Sequence, residues 1–423
     1  MYLKHLEIKN FRAFDDLEVE FKPGMNVIAG INGAGKTSLL CAAGFCLSAF
    51  ASRYGFRWAL ALPAQDDVRQ ICQSSEKVRA RFEGQFPCSL KGLFQSDENS
   101  WAAGFTLTDE VSPAEPMLPL HYAGAVKERA LPVFGFYRAD RHWPNLSEVQ
   151  EARAVLARYS RFKAYDCFWD ASKDSGEFIS WFVEKTVERM QIASEEERPV
   201  DQVRDDELEE ANKALRLALD DFRQISYNVR QKRIVVRFSG HQEDFNTLSD
   251  GERSFICLFA DIARRMCILN PALGDRVIEE SEGIVLIDEL DIHLHPEWQR
   301  RIVHGLQKAF PKVQFIVTTH SPQILGEVTS DRIYLLQDRA LTHPAYDAFG
   351  MTSDAVLRRI MGTTDMNAEV KALLEEGFRA VDENNYEKAS GFLRQAEEKI
   401  GGSTDETMQL DALIRTIEEG PLE

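Results

Sequence analysis

The segment Gly30-Ile31-Asn32-Gly33-Ala34-Gly35-Lys36-Thr37 fits the spacing G-x-x-x-x-G-K-[ST] in full. Glycines at these places let the backbone wrap closely around an anion, and the N–H groups of a following helix end point at it. Lys36 would reach the β- and γ-phosphates of a nucleotide, and Thr37 would hold Mg2+. Far downstream, Ile284-Val285-Leu286-Ile287 runs directly into Asp288-Glu289. Four apolar residues ending in two carboxylates read as a buried strand that delivers charge to a sheet edge. Beside a phosphate loop, Asp288 would join the Mg2+ shell and Glu289 would orient and polarise an attacking water. Phosphoryl transfer needs chiefly such positioning.

Three further clusters carry chemistry. Leu248-Ser249-Asp250-Gly251-Glu252-Arg253 precedes an apolar helical pattern. Ser249 as N-cap with Glu252 three residues on is a capping box, and a capped helix start offering a hydroxyl and a glycine N–H is also an anion site. His320 follows a strand-like run in Thr318-Thr319-His320-Ser321-Pro322. His293-Leu294-His295 lies just behind the acidic pair, and with His320 it could be read as a zinc cluster.

These residues need elements to place them. Residues 3–8, 17–21 and 25–28 read as strands, with Pro23-Gly24 as a turn, and a helix is expected from about Lys36 to Phe50. Residues from about 55 to 130 read as further sheet and loops. From about Ser147 to Ile225 the pattern becomes helical. Leu208, Leu215 and Phe222, flanked by Ala211, Ala218 and Ile225, repeat every seventh residue as a seam, predicting a short arm roughly 35–40 Å long. Strands resume at residues 233–238, 284–287 and 314–318, and past about Asp354 the chain is helical. This gives an α/β head in two halves, 1–145 and 232–350, interrupted by a helical insertion at 146–231 and followed by a helical region at 351–423. From Glu369 to Glu423 there are 14 acidic and 6 basic residues, with Gly401-Gly402-Ser403 as a divider.

The 423 residues give two to three domains' worth of chain. The net charge of −18 weighs against broad nonspecific DNA coating, which needs cations to displace counterions. No apolar run approaches the roughly 20 residues that span a bilayer, and the start Met1-Tyr2-Leu3-Lys4-His5 is interrupted by charge at once, unlike a signal peptide. The seven cysteines form no Cys-x-x-Cys pair. A reducing, cytoplasmic setting without membrane contact is therefore expected.

In their order, the phosphate loop, Leu-Ser-Asp-Gly-Glu, Asp-Glu and Thr-Thr-His-Ser resemble the ABC-type ATPases of the SMC and OLD group, which are P-loop NTPases with a mixed-sheet head. The resemblance implies ATP with Mg2+, held at Arg12 (of Asn10-Phe11-Arg12), Asn32, Gly33, Gly35, Lys36, Thr37 and Ser38. It implies that Ser249 and Gly251 act in trans on the γ-phosphate of a second subunit, so that ATP joins two heads into a homodimer. Thr37 and Asp288 would be the metal residues. Glu289, Lys36 and His320, as the γ-phosphate-sensing switch histidine, would be the catalytic ones. His295 stands where many members of the group have Asp. The strand end at residues 131–141 is the candidate for the loop that elsewhere supplies a Mg2+-binding Gln. Arg138 or Arg141 could take that role or reach across the dimer, or simply pair with Asp140.

The short insertion, the run Phe259-Ala260-Asp261-Ile262-Ala263-Arg264-Arg265-Met266, residues 356–362 and Leu410-Asp411-Ala412-Leu413-Ile414 together resemble the PtuA-type ATPases of Septu and retron anti-phage systems. That branch implies a dimer, often within a larger assembly, holding an HNH-type nuclease partner of the PtuB kind. The chain itself shows no Asp-x-Asp after His320 and no HNH pattern, so it is not expected to cut nucleic acid. The rival reading is a repair or chromosome ATPase of the RecF or SMC kind that binds DNA directly, which a long coiled coil would favour. A scaffold without hydrolysis is disfavoured by Glu289, and direct nucleic-acid contact stays open.

Overall fold

A computed structural model of the chain describes residues 1–52, 61–75, 78–96, 99–109, 111–112, 114–117, 130–141, 161–165, 168–203, 206–362 and 366–418. The strands β1 (Tyr2–Phe11), β2 (Phe14–Glu20) and β3 (Met25–Ala29) lead through the glycine-rich loop into helix α1 (Lys36–Ala51). Next come β4 (Gln70–Ser75), β5 (Val78–Gly84), β6 (Cys88–Gln95), β7 (Ser100–Leu107), β8 (Glu115–Met117) and β9 (Val133–Tyr137). Helices α2 (Ser175–Glu195) and α3 (Asp206–Ala218) precede β10 (Phe222–Asn228), β11 (Arg233–Phe238) and β12 (Gln242–Asp244). The rest of this body is α4 (Asp250–Leu269), α5 (Val277–Glu280), β13 (Gly283–Ile287), α6 (Pro296–Ala309), β14 (Val313–Thr319), α7 (Pro322–Leu325), β15 (Ile333–Gln337), β16 (Ala340–Thr342) and α8 (Ser353–Arg359).

The α/β class holds, with a mixed sheet at the centre. Its order is β16-β15-β3-β14-β13-β9, parallel except for β16. Strands β3, β9, β13 and β14 are buried along their whole length. That is the signature of parallel strands covered on both faces, and it explains the unbroken apolar runs. A second, antiparallel sheet has the order β2-β1-β6-β7-β8. In β1 a bulge between Leu3 and His5 keeps Leu3 on the buried side with Leu6 and Ile8, and the alternation breaks again at Asn10, φ 51°, beyond which Phe11 is buried too. Helix α1 is buried nearly all round because it lies against strands of both sheets. A Cβ on Gly44 of α1 would be tight, 3.0 Å from the Trp169 ring and 3.3 Å from that of Phe136, so both rings pack closely on the helix there.

One expectation is corrected. The seven-residue seam does not continue to Ile225: α3 ends at Ala218, and Phe222 and Ile225 belong to β10. Thirteen helical residues make roughly 20 Å, not 35–40 Å. Phe222 and Ile225 are buried through antiparallel pairing with Phe238 and Val236, so tertiary pairing overrides a heptad coincidence. Leu208, Ala211 and Leu215 do line one helix face, which is buried in the main core rather than in an arm. The helical expectation over 147–160 lies outside the described residues.

A separate unit spans Gly362–Glu423. Its helices α9 (Ala368–Asp382), α10 (Tyr386–Ile400) and α11 (Asp405–Glu418) close around Val370, Leu374, Val381, Ala389, Leu393, Leu410 and Ile414. Gly401, at φ 77°, ends α10 in the left-handed conformation, as the Gly-Gly-Ser divider suggests.

Two buried charge arrangements yield tests of this packing. Asp261 on α4 accepts from Arg264, from Arg265 Nε at 2.8 Å and from the Tyr137 hydroxyl at 2.8 Å, all within the core. Asp261→Ala removes the carboxylate that both guanidiniums share, so a loss of about 3–5 kcal/mol is expected in denaturant unfolding. A change below ~1 kcal/mol would show the cluster to be dispensable. Glu210 on α3 is 2% exposed, its Oε2 has no hydrogen-bond partner among the described residues, and burial, partly offset by Lys213, lifts its carboxyl from 4.5 to about 7. The folded chain therefore keeps a proton that the unfolded chain releases. Its contribution is full below the unfolded value and is lost as pH rises through the folded one. Glu210→Gln should flatten the fall in stability between about pH 5 and about pH 8, measured as the shift in unfolding midpoint. Parallel pH profiles for both proteins would contradict it.

Candidate functional site

In the central sheet β3, β14, β13 and β9 are neighbours and parallel. Four sequence clusters lie at their C-terminal ends: the glycine loop after β3, Thr319-His320 at the end of β14, Asp288-Glu289 after β13 and Arg138–Arg141 after β9. The topology alone thus gathers residues separated by hundreds of positions at one sheet edge, where α/β folds hold ligands.

The glycine loop is built for close approach. Gly33 and Gly35 have φ of 79° and 109°, a region costly for residues with a Cβ. A Cβ on Gly30 would lie 2.4 Å from the Leu336 carbonyl oxygen, and one on Gly35 2.9 Å from Phe14. Gly35 is the N-cap of α1 and offers no side-chain cap, so the helix begins with N–H groups open to an anion. Asn32 and Gly33 are exposed and Ser38 is half-buried in the first turn. Lys36, 6% exposed, donates from Nζ to the carbonyls of Gly30 at 2.9 Å and Ile31 at 3.0 Å. Burial lowers its ammonium, while Asp288, Glu289 and Asp291 act in the opposite sense.

The acidic pair meets this loop directly. Asp288 accepts from the Thr37 hydroxyl at 2.9 Å through one oxygen and from the Thr318 hydroxyl at 2.6 Å through the other. Thr318 Oγ1 also accepts the Glu289 N–H at 2.7 Å. Glu289 sits at φ 49°, a strained position for a non-glycine residue. Asp291 accepts from the Thr319 hydroxyl at 2.6 Å and from the His320 N–H at 3.3 Å. The His320 ring is half-buried, and burial followed by the charge of Lys36 pushes it below the usual imidazole range, so it is neutral near pH 7. Thr318 and Asp291 are organising residues to which the sequence reading gave no role. Their signal was the Thr-Thr pair before His320 and a third carboxylate three residues after Asp288.

Arg12 stands at φ 47°, holds Asp67 with Nε at 2.8 Å and packs over the Phe11 ring. It neighbours Cys41 of α1. Ser249 and Glu252 form the expected capping box, with Ser249 N–H to Glu252 at 2.9 Å and Glu252 N–H to the Ser249 hydroxyl at 3.2 Å. Gly251 abuts the loop behind the acidic pair: a Cβ there would lie 2.4 Å from the His293 carbonyl oxygen. Among the described residues, neither Ser249 nor Gly251 is hydrogen bonded to the glycine loop of its own chain. The zinc reading does not hold, since the described residues include no group of three His, Cys, Asp or Glu side chains placed to bind a metal. His295 instead caps α6, its Nδ1 accepting from Glu297 N–H at 3.4 Å, which is the local task a capping Asp performs. Arg138 pairs with Asp140 at 3.7 Å. Arg141 turns inward to the acidic pair's backbone, and burial brings its guanidinium down to about 10, still charged at neutral pH. The donors facing the loop, one hydroxyl and one carboxylate, suit Mg2+, which prefers oxygen and takes few protein ligands.

Comparison with known proteins gives these residues a setting. The "Retron Vc95 probable ATPase" of Vibrio cholerae serotype O1 biovar El Tor is 40% identical over 146 residues, 33% of this chain and 28% of that protein. The chain thus matches well under two thirds of that relative's length. "Septu protein PtuA" of Bacillus thuringiensis is 23% identical over 92% of this chain and 91% of its own length. Among solved structures, an SMC head bound to the C-winged helix domain of ScpA covers 81% of this chain and 97% of its own at 12% identity. Its TM-score of 0.46 is too low to establish the architecture, which rests on the strand order above. The family model described as "AAA domain, putative AbiEii toxin, Type IV TA system" matches residues 25–326. Because that match spans well over half of the chain, from the strand before the glycine loop to the helix after His320, the protein belongs to this AAA-domain family.

Proposed function

We propose that the chain binds ATP with Mg2+ at the glycine loop, closes on a second copy around it and hydrolyses it. In this reading it is the regulatory and assembly ATPase of an anti-phage defence complex that holds a separate HNH-type nuclease. The observation that carries the ATPase reading is the Thr37–Asp288 hydrogen bond of 2.9 Å, which brings the phosphate loop and the acidic strand to one point. The names of the Septu and retron relatives support the defence setting.

Each residue then has a task. Backbone N–H groups from Gly33 to Lys36 cradle the phosphates, and the Lys36 ammonium exchanges its loop carbonyls for phosphate oxygens. Thr37 and Asp288 would hold Mg2+, which when bound supplies charge neutralisation on the β- and γ-phosphate oxygens. Glu289, its N–H anchored on Thr318, orients the attacking water. Neutral His320 hydrogen bonds near the γ-phosphate, its backbone tied through Asp291 to the same loop. Ser249 and Gly251, at the start of α4, serve the nucleotide of the other copy. Contacts to the γ-phosphate that exist only in the closed pair shift the population toward it, and hydrolysis removes them. Within the separate C-terminal unit, the excess of 14 acidic over 6 basic residues from Glu369 to Glu423 suits a basic partner face.

Glu289→Gln should retain ATP binding, lower turnover by about a hundredfold or more and accumulate ATP-bound dimers in light scattering. Lys36→Ala should weaken binding itself. Wild-type turnover in the Gln variant would remove Glu289 from the mechanism. Reversing the charge of Glu397, Glu398, Asp405 and Glu406 should reduce co-purification with a co-expressed HNH nuclease. Unchanged recovery would exclude the acidic unit as its docking face.

A further inference from the structure

We propose that Arg141 is a positioning residue for the hydrolytic carboxylate: its guanidinium grips the carbonyls of Asp288 and Glu289 and holds the backbone turn that aims Glu289. This rests on the reading of Glu289 given above. The parallel ladder of β13 ends at Ile287, paired with Tyr137 on one side and Val317 on the other. Beyond it the N–H groups still find partners on the flanking strands: Asp288 on the Tyr137 carbonyl at 2.8 Å, Glu289 on Thr318 Oγ1 at 2.7 Å and Leu290 on the Thr318 carbonyl at 2.8 Å. The carbonyls turn away from the ladder, and Arg141 takes them, with one terminal nitrogen 2.6 Å from Asp288 O and the other 2.9 Å from Glu289 O.

The grip falls where the backbone is least comfortable. Glu289 is at φ 49°, a conformation that a residue with a Cβ keeps only when its surroundings impose it. Arg141 is itself fixed by its N–H and one terminal nitrogen, both donating to the Arg138 carbonyl at 3.3 and 3.2 Å. It is 4% exposed, and its Nε has no hydrogen-bond partner among the described residues. A buried cation with an unused donor is an expensive way to brace a loop. Its geometric merit is the planar fork, which spans two successive carbonyls as the tetrahedral ammonium of lysine cannot. The guanidinium is also drawn electrostatically to the carboxylates of Asp288, Asp291 and Glu289, which act against the cost of its burial.

The test compares Arg141→Lys, which keeps charge and loses the fork, with wild type in the full chain, alone and combined with Glu289→Gln. Steady-state ATP hydrolysis and thermal melting are the readouts. The expected result is a kcat lower by about tenfold or more with KM within about threefold, and no further loss when R141K is added to E289Q. If R141K does not fold, R141Q, which keeps two amide donors, is read in the same way. Turnover within about twofold of wild type, a parallel loss of binding and turnover, an additive loss in the E289Q background, or failure of both variants to fold would each make Arg141 a structural brace and overturn the assignment. A dead E289Q beside an unimpaired R141K overturns this assignment alone. An E289Q that hydrolyses normally overturns the role of Glu289 first and this one with it.

Discussion

The Asp288 carboxylate is the point on which the structure turns. It is 2% exposed, and each oxygen accepts a hydroxyl from a different neighbour, Thr37 of the glycine loop and Thr318 of β14. A buried carboxylate is tolerable only when satisfied in this way. It therefore fixes the distance between the element that can cradle phosphate and the element that carries the acids. The adjacency of β3, β14 and β13 makes this possible, and their apolar runs supply the burial that holds the sheet edge rigid.

From that carboxylate outward the contacts form a connected shell. Thr318 serves Asp288 with its proton and Glu289 with its lone pair, while Asp291 fixes Thr319 and His320. The loop then passes His293, at φ 62°, whose carbonyl oxygen leaves no room for a side chain on Gly251 at the head of α4. The acidic pair and the Ser249–Gly251 turn are thus two ends of one short stretch of packed backbone within a chain. The Tyr137 hydroxyl bonds to Asp261 of the same α4, and its carbonyl accepts the Asp288 N–H. One route joins α4 to the acids through the His293 loop and the other through Tyr137 of β9, so packed backbone links α4 to the acidic pair twice.

The residues that a local string defines were legible in the sequence. Gly30 to Thr37, Asp288-Glu289, the Ser249 capping box and His320 all stand where their spacing implied, because each depends on a turn or strand end encoded within a few positions. What the sequence concealed was long-range. Arg141 and Asp288 are 147 positions apart, and nothing local distinguishes an arginine that will turn inward from one that pairs with Asp140 as Arg138 does. Thr318 bridges both acids only because β14 lies between the two motif strands, an adjacency that no local string encodes. The heptad at Leu208, Leu215 and Phe222 misled because two turns of helix followed by a strand can mimic a seam when both bury against one core. His295 stands where many members of the resembled group have Asp, and its ring caps α6.

The central claim is that Thr37 and Asp288 complete a Mg2+-dependent nucleotide site. Equilibrium titration of ATP into the wild-type chain, with Mg2+ and again with a chelator, tests it without reference to turnover, dimers or partners. The account predicts saturable binding of one nucleotide per chain that weakens steeply once Mg2+ is removed. Absence of binding in both conditions, or equal affinity with and without the metal, would contradict it.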